Sequence, residues 1–189
     1  LYGIMKFLRA AGRLKGLPRT GWLEAGVESP ESVADHSYRT AVLSMVLADL
    51  HGLDAERAVR MALLHDLAEA EIGDLTPEQK RRRGAEHRGE EDAAMRGILS
   101  TLPQPLAERY WSLWTEFREV SSPEAEVVAR ADRAEMLLQA LEYEEAGIDP
   151  SRLDRFWQGD TGGSPLSEWI RAMLKKMRVE GRLRFNEGC

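Results

Sequence analysis

The sequence predicts an all-α protein. Apolar residues recur at three- and four-residue spacings through most of the chain, and no stretch alternates convincingly in the two-residue period of a strand. A hydroxyl residue, a proline and an acid stand together twice, at Ser29-Pro30-Glu31 and Ser122-Pro123-Glu124. Each reads as a helix start, with an N-cap hydroxyl, a proline in the first turn and a carboxylate near the positive helix end. In order, residues 1–14 form a first helix with Ile4, Phe7, Leu8 and Ala11 on one face, and residues 16–26 form a loop. A helix runs from Ser29 to about Leu50 and stops near Gly52. Asp54 caps the next, residues 55–72, which Gly73 closes. Residues 77–89 are polar and basic and read as a loop with a fraying helix. Helices follow over 90–102, 105–118 and 122–145, then a glycine-rich connector with a short turn over 149–165 and a last helix over 167–179.

A chain of 189 residues suits one compact domain, 1–189, and its 43% hydrophobic content is enough for a sizeable core. The net charge of −6 argues against a nucleic-acid polymer, whose phosphate backbone calls for a basic surface. It leaves open a small phosphorylated ligand, because a bound cation reverses the local field. Cys189 is the only cysteine, so neither an intrachain disulfide nor a thiolate metal site is expected. That fits a reducing, cytoplasmic setting. No apolar run approaches the length of a membrane span, so no membrane partner is expected. Residues 1–11 lack the cleavage pattern of a signal peptide, and the missing initiator Met suggests a start inside a longer chain.

Three predicted helices carry residues with chemistry. His36 lies early in the Ser29 helix, His65-Asp66 late in the Asp54 helix, and Asp132 inside the Ser122 helix among Val127, Val128, Ala131 and Leu137. Singly, each has an ordinary reading: a cap, a local hydrogen bond, an exposed acid. Jointly they sit on helices that otherwise bury Val, Leu and Ala, where four such groups without a cation would be costly. Two imidazoles and two carboxylates suit a borderline divalent ion such as Mn, Co, Zn or Fe. Open positions left for water make such a site catalytic in character.

Ser32-Val33-Ala34-Asp35-His36-Ser37, then Leu63-Leu64-His65-Asp66-Leu67-Ala68-Glu69 with Gly73-Asp74-Leu75, then Ala131-Asp132, resembles the HD superfamily. The resemblance is closest to the branch of the 5′-deoxynucleotidases and HD domain-containing protein two, and it covers roughly residues 13–145. It implies an HD-domain helical bundle and a divalent metal (Mn, Co, Zn, Fe or Mg) held by His36, His65, Asp66 and Asp132. It also implies that Glu69 and Asp74 act beside the metal, or bind a second ion with the Leu75 carbonyl. Glu69 falls one helical turn after His65-Asp66 and so shares their face. The family's loop element of an Arg and a Trp corresponds to Arg19 and Trp22, here separated by Thr20 and Gly21. Arg19 would clamp a substrate phosphate through a planar fork. Trp22 reads equally as a wall beside the sugar or base and as a packed loop anchor.

Other features carry less. Lys80-Arg81-Arg82-Arg83 reads as a solvated stretch that could also steer an anion; His51 and His87 read as structural or exposed. Trp111, Trp114, Trp157 and Trp169 serve the core or a subunit contact, and Glu116 could line the pocket. The resemblance implies hydrolysis of a nucleoside 5′-monophosphate, by preference a deoxy one, in a homodimer. One alternative is another HD-type enzyme acting on a cyclic nucleotide, an alarmone or a triphosphate, although the chain shows no extra histidines or polyphosphate apparatus for it. A non-catalytic, metal-stabilised interaction protein is the other, and Glu69 and Asp74 count against it.

Overall fold

A computed structural model describes residues 1–158, 172 and 175–180. The expected Trp169 and most of the predicted last helix lie outside the described residues; 175–180 are helical. The chain divides into two compact units, Leu1–Ala129 and Arg130–Cys189.

The first unit is built from α1 (Tyr2–Arg13), a 3₁₀ turn (Leu14–Gly16), α2 (Thr20–Glu24), α3 (Val33–His51), α4 (Ala55–Leu64), α5 (Glu69–Ile72), α6 (Pro77–Leu99) and α7 (Gln104–Glu119). It also holds the start of α8 (Pro123–Glu145); α9 (Pro150–Trp157) belongs to the second unit. Among the described residues the only strand-like pairing is an isolated antiparallel bridge, Pro18 to Ser32. The all-α expectation therefore stands.

Local chemistry moves several boundaries. The helix expected from Ser29 begins at Val33, because Ser32 and Asp35 form a reciprocal capping box: Asp35 N donates to Ser32 Oγ at 3.1 Å, and Ser32 N to Asp35 Oδ2 at 2.9 Å. The Ser32 bonds hold the Asp35 carboxyl below its ordinary range. Gly52 ends α3 in the left-handed conformation (φ 66°), and Asp54 caps α4 by accepting from Arg57 N at 2.9 Å. The single helix expected over 55–72 is broken at His65–Ala68. There the Ala62 carbonyl takes the His65 imidazole, and the chain turns through i→i+3 bonds such as Leu67 N to Leu64 O and Glu69 N to Asp66 O.

The stretch 77–89, expected to be largely loop, is helical. Thr76 and Gln79 make a second capping box, Pro77 occupies the first turn, and α6 runs on to Leu99 with a bend at Gly84 (φ 54°, ψ −121°). The 149–165 connector likewise contains α9, capped by Asp149 accepting from Ser151 N at 2.9 Å. Asp149 is held low by those Ser151 bonds.

In α1 the buried stripe is not the expected one. Ile4 and Leu8 are 42% and 53% exposed, whereas Ala10 and, just beyond the helix, Leu14 are buried. The inward face is Gly3-Phe7-Ala10-Leu14. Gly3 belongs to it by size: a Cβ there would stand 1.9 Å from the Thr101 carbonyl oxygen. Phe7 stacks obliquely on Tyr110 at 6.2 Å, and Arg13 donates to the Ala70 carbonyl and pairs with Glu71. On α3 the buried face is Val33, His36, Ser37, Thr40, Ala41, Ser44, Leu47 and Ala48, mostly small side chains that allow close packing on α4. Ala58, Met61 and Ala62 of α4 are fully buried. In the second unit Leu153, Leu137 and Trp157 are buried, and Arg178 lies over the Trp157 ring at 4.5 Å while pairing with Glu144 and Asp154.

Gly3→Ala should therefore destabilise the protein by about 1–3 kcal/mol, since the clash is with backbone that has nowhere to rotate. Urea unfolding followed by circular dichroism measures it, and an unchanged midpoint would show that the α1 packing is wrongly placed.

Candidate metal centre

The capping box at Ser32 fixes the start of α3, and His36 follows one turn later with its N–H donating to the Ser32 carbonyl at 3.1 Å. Its ring is fully buried. His65 comes from the turn after α4. Its Nδ1 lies 2.6 Å from the Ala62 carbonyl oxygen, which can only accept, so Nδ1 carries the proton and Nε2 is turned inward. Trp114 of α7 donates its indole N–H to the His65 carbonyl at 3.3 Å, and the Phe117 ring meets the imidazole edge-on at 5.5 Å. Ring orientation is thus fixed from three directions.

The two Nε2 atoms are 3.3 Å apart, and Asp66 Oδ2 lies 3.1 Å from His65 Nε2 and 3.7 Å from His36 Nε2. Three lone-pair atoms this close repel one another unless a proton or a cation lies between them. The centre of the triangle they define is about 2.0 Å from all three, the length of a metal–imidazole bond. The donor set and its spacing fit a divalent cation. Burial alone would raise the Asp66 carboxyl; its neighbours His65, Arg19 and Lys80 outweigh burial and hold Asp66 well below the ordinary carboxylate range.

Around this triangle stand two further acids and two cations. Arg19 is carried by a loop tied to the start of α3 through Arg19 N to Glu31 O at 3.1 Å and Val33 N to Leu17 O at 2.8 Å. Its Nη1 bridges Asp66 Oδ2 at 3.2 Å and Asp74 Oδ1 at 3.4 Å. The residue after it shares the work: Thr20 N donates to Asp74 Oδ2 at 2.5 Å, and Thr20 Oγ1 to the Asp74 carbonyl at 2.8 Å. Asp74 is buried, and Leu75 beside it half-buried.

Glu69, 3% exposed on α5, accepts from Lys80 Nζ at 2.9 Å through Oε1, while Oε2 is buried without a hydrogen-bond partner. Lys80 is the member of the pair whose charge is fixed: burial works against it, but Glu69 and Asp66 outweigh that and push its ammonium further up. Glu69 is the titratable member. Burial, then Asp66 and Asp74, push its carboxyl well above the ordinary range against the pull of Lys80 and Arg19.

The structure thus brings His36, His65, Asp66, Glu69, Asp74 and Arg19 of the first unit together. Asp132 lies half-buried on α8 in the second unit, beside buried Ala131, Ala134 and Glu135. Trp22 is 2% exposed and donates its indole N–H to Glu31 Oε1 at 2.9 Å, which favours the packed anchor of its two readings. Glu116 pairs with Arg57, and burial notwithstanding, that bond, with one from Ser122, holds its carboxyl low. Sequence reasoning missed Thr20 and Lys80. Thr20 looked like an interruption of the Arg-Trp element, and Lys80 was one of four consecutive basic residues with nothing to single it out.

Residues 11–161 match the family described as the HD domain, and the chain belongs to that family. It is 44% identical over 160 residues to the 5′-deoxynucleotidase HDDC2 of Mus musculus, a match spanning 85% of this chain and 79% of that protein. Among solved structures, the PH0347 protein of Pyrococcus horikoshii OT3 superposes with a TM-score of 0.75 at 34% identity, covering 95% of this chain and 99% of that one. A predicted metal-dependent phosphohydrolase from Magnetospirillum magnetotacticum MS-1 superposes with a TM-score of 0.72 at 25% identity, covering 96% and 93%.

Thr20→Val keeps the side-chain shape and removes the Oγ1 donor to the Asp74 carbonyl. The loss of about 1 kcal/mol should lower Tm by about 2–4 °C in a chain of this length. Differential scanning calorimetry reads the change; a Tm at or above that of the parent would remove Thr20 from the support of Asp74.

Proposed function

We propose that the protein is a divalent-metal-dependent 5′-deoxynucleotidase, hydrolysing deoxynucleoside 5′-monophosphates to nucleoside and inorganic phosphate. The observation that carries the reading is the convergence of His36 Nε2, His65 Nε2 and Asp66 Oδ2 within 3.1–3.7 Å of one another. The substrate class rests on the deoxynucleotidase relatives, the reaction class on the site as well. The ligands we assign are His36, His65 and Asp66, with Asp132 added on the sequence resemblance. Mn, Co, Zn, Fe and Mg are all compatible with this nitrogen and oxygen set. When bound, such an ion supplies Lewis-acid polarisation of the phosphoryl group and brings water to reactivity near neutral pH.

The chain's own residues supply the rest. Asp66, held strongly acidic, stays anionic and available as a ligand across the physiological range. Arg19 offers a guanidinium to the phosphate oxygens and offsets charge that builds on them in the transition state. Glu69, whose carboxyl burial pushes well above the ordinary range, is placed to exchange a proton through Oε2, the oxygen without a partner. Asp74, fixed by Thr20, holds Arg19 in place and is the second candidate for proton transfer. Trp22, buried and bonded to Glu31, anchors the segment that follows Arg19.

No described helix is long and apolar enough to cross a membrane, and a small nucleotide is the partner that fits this site. We assign a second copy of the chain to the exposed apolar stripe of α3, where Tyr38, Val42, Met45, Val46 and Leu50 are 40–72% exposed. The lone Cys189 supports a reducing, cytoplasmic setting.

The test is phosphate release from paired ribo- and deoxyribonucleoside 5′-monophosphates with Mn²⁺ or Co²⁺, with a cyclic nucleotide and a triphosphate as controls. Deoxy substrates should be favoured by about ten- to a hundredfold in kcat/KM. Asp66→Ala should lose both metal and turnover. Arg19→Lys should stay folded and lose about ten- to a hundredfold in kcat/KM, the worth of charge-assisted hydrogen bonds. Turnover of the cyclic nucleotide or triphosphate alone would overturn the reaction class.

A further inference from the structure

The four basic residues after Gln79 have different fates. Arg82 is 77% exposed and pairs with Glu78 one turn back; Arg83 pairs with Glu90. Lys80 instead turns inward, its Nζ 2.9 Å from Glu69 Oε1 and 3.9 Å from Glu91 Oε1. Glu91 Oε1 in turn lies 3.0 Å from Nε2 of His87, whose side chain is buried. Lys80 and Glu91 are eleven residues apart on α6, about 16 Å along a straight helix, too far for the two side chains to meet. The bend at Gly84 brings them together. That residue has φ 54°, a conformation natural to glycine.

We propose that Lys80 is a positioning residue of this centre: its ammonium is the second, permanent cation of the site, holding Glu69 in place and excluding a second divalent ion. The proposal rests on the metal-dependent reading above and extends it. Lys80 is braced from behind by Glu91, so it is not a side chain that swings away at little cost. Of the four carboxylate oxygens on Glu69 and Asp74, three accept from the chain's own donors: Glu69 Oε1 from Lys80, Asp74 Oδ1 from Arg19 and Asp74 Oδ2 from Thr20. A divalent ion shared by Glu69 and Asp74 would displace those donors. It would also sit against two positive side chains while leaving Lys80 without its closest counter-charge. The residues implied for a second ion do not fit one, and Lys80 supplies the positive charge in its stead.

The experiment compares the wild type, Lys80→Met and Lys80→Arg, each loaded with Mn²⁺, using elemental analysis for tight ions and electron paramagnetic resonance of free Mn²⁺ for the titration. The wild type and the arginine variant should hold one ion per chain. The methionine variant should bind a second at least about tenfold more tightly than either. On deoxynucleoside monophosphates its kcat should fall by about 10–100-fold, with KM within about threefold of the wild type, and arginine should recover most of the loss. Circular dichroism checks folding, and Lys80→Gln is read in the same way should the methionine variant fail to fold. Two tightly bound ions in the wild type would overturn the proposal, as would a metal count and kcat unchanged by removing the ammonium, or an arginine variant no better than methionine. If the wild type hydrolyses no phosphomonoester, the proposed function fails, and the Mn²⁺ count still decides the role of Lys80.

Discussion

Everything around the centre follows from one electrostatic constraint: two imidazole nitrogens and a carboxylate oxygen are held 3.1–3.7 Å apart, each of them able to serve as a metal ligand. Folding brings them there at a cost, which a bound cation would offset. The surrounding architecture prevents the three groups from relieving their repulsion by turning away. The capping box of α3 fixes the His36 backbone, and the Ala62 carbonyl removes the His65 tautomer that would present a hydrogen to the centre. The same carbonyl bond ends α4 at Leu64, and the tight turn it starts delivers Asp66 and then Glu69.

The second layer is a matter of balanced charge. Asp66, Glu69 and Asp74 are three carboxylates in and around a mostly buried centre, and Arg19 and Lys80 are interleaved among them. The result is two carboxyls in opposite states, Asp66 held low and Glu69 pushed high. Divergent carboxyls in one site suit the divided roles proposed for them, one a ligand and the other a proton carrier. Their separation comes from position: Asp66 faces His65 and Arg19, whereas Glu69 is buried on α5 with Lys80 as its one close cation.

The sequence made part of this legible. His36, His65 and Asp66 were recognisable because their spacing places them on helices whose neighbours are apolar, and because the flanking residues resemble a known family. The start of α4, capped by Asp54, and both ends of α7 lie close to where the sequence places them, whereas the end of α4 does not. The rest was hidden for identifiable reasons. Residues 77–89 have almost no apolar face, so periodicity could not mark them as helix, although Thr76 and Gln79 carried the capping-box signal. The inner face of α1 was displaced because Gly3 contributes by having no side chain, which no hydrophobic pattern records. Lys80 is distinguished from Arg81 and Arg82 only by the direction in which α6 points it, and the Gly84 bend that sets its partner is a tertiary event.

The account stands or falls on whether the two imidazoles hold a metal. X-ray absorption at the edge of the bound ion in protein loaded with Mn²⁺ or Co²⁺ measures this without recourse to activity. The account predicts outer-shell scattering from two imidazole rings, with nitrogen neighbours at about 2.0–2.2 Å, and loss of one ring's contribution in His36→Ala. A spectrum of oxygen ligands alone, or one unchanged by removing His36, would contradict it.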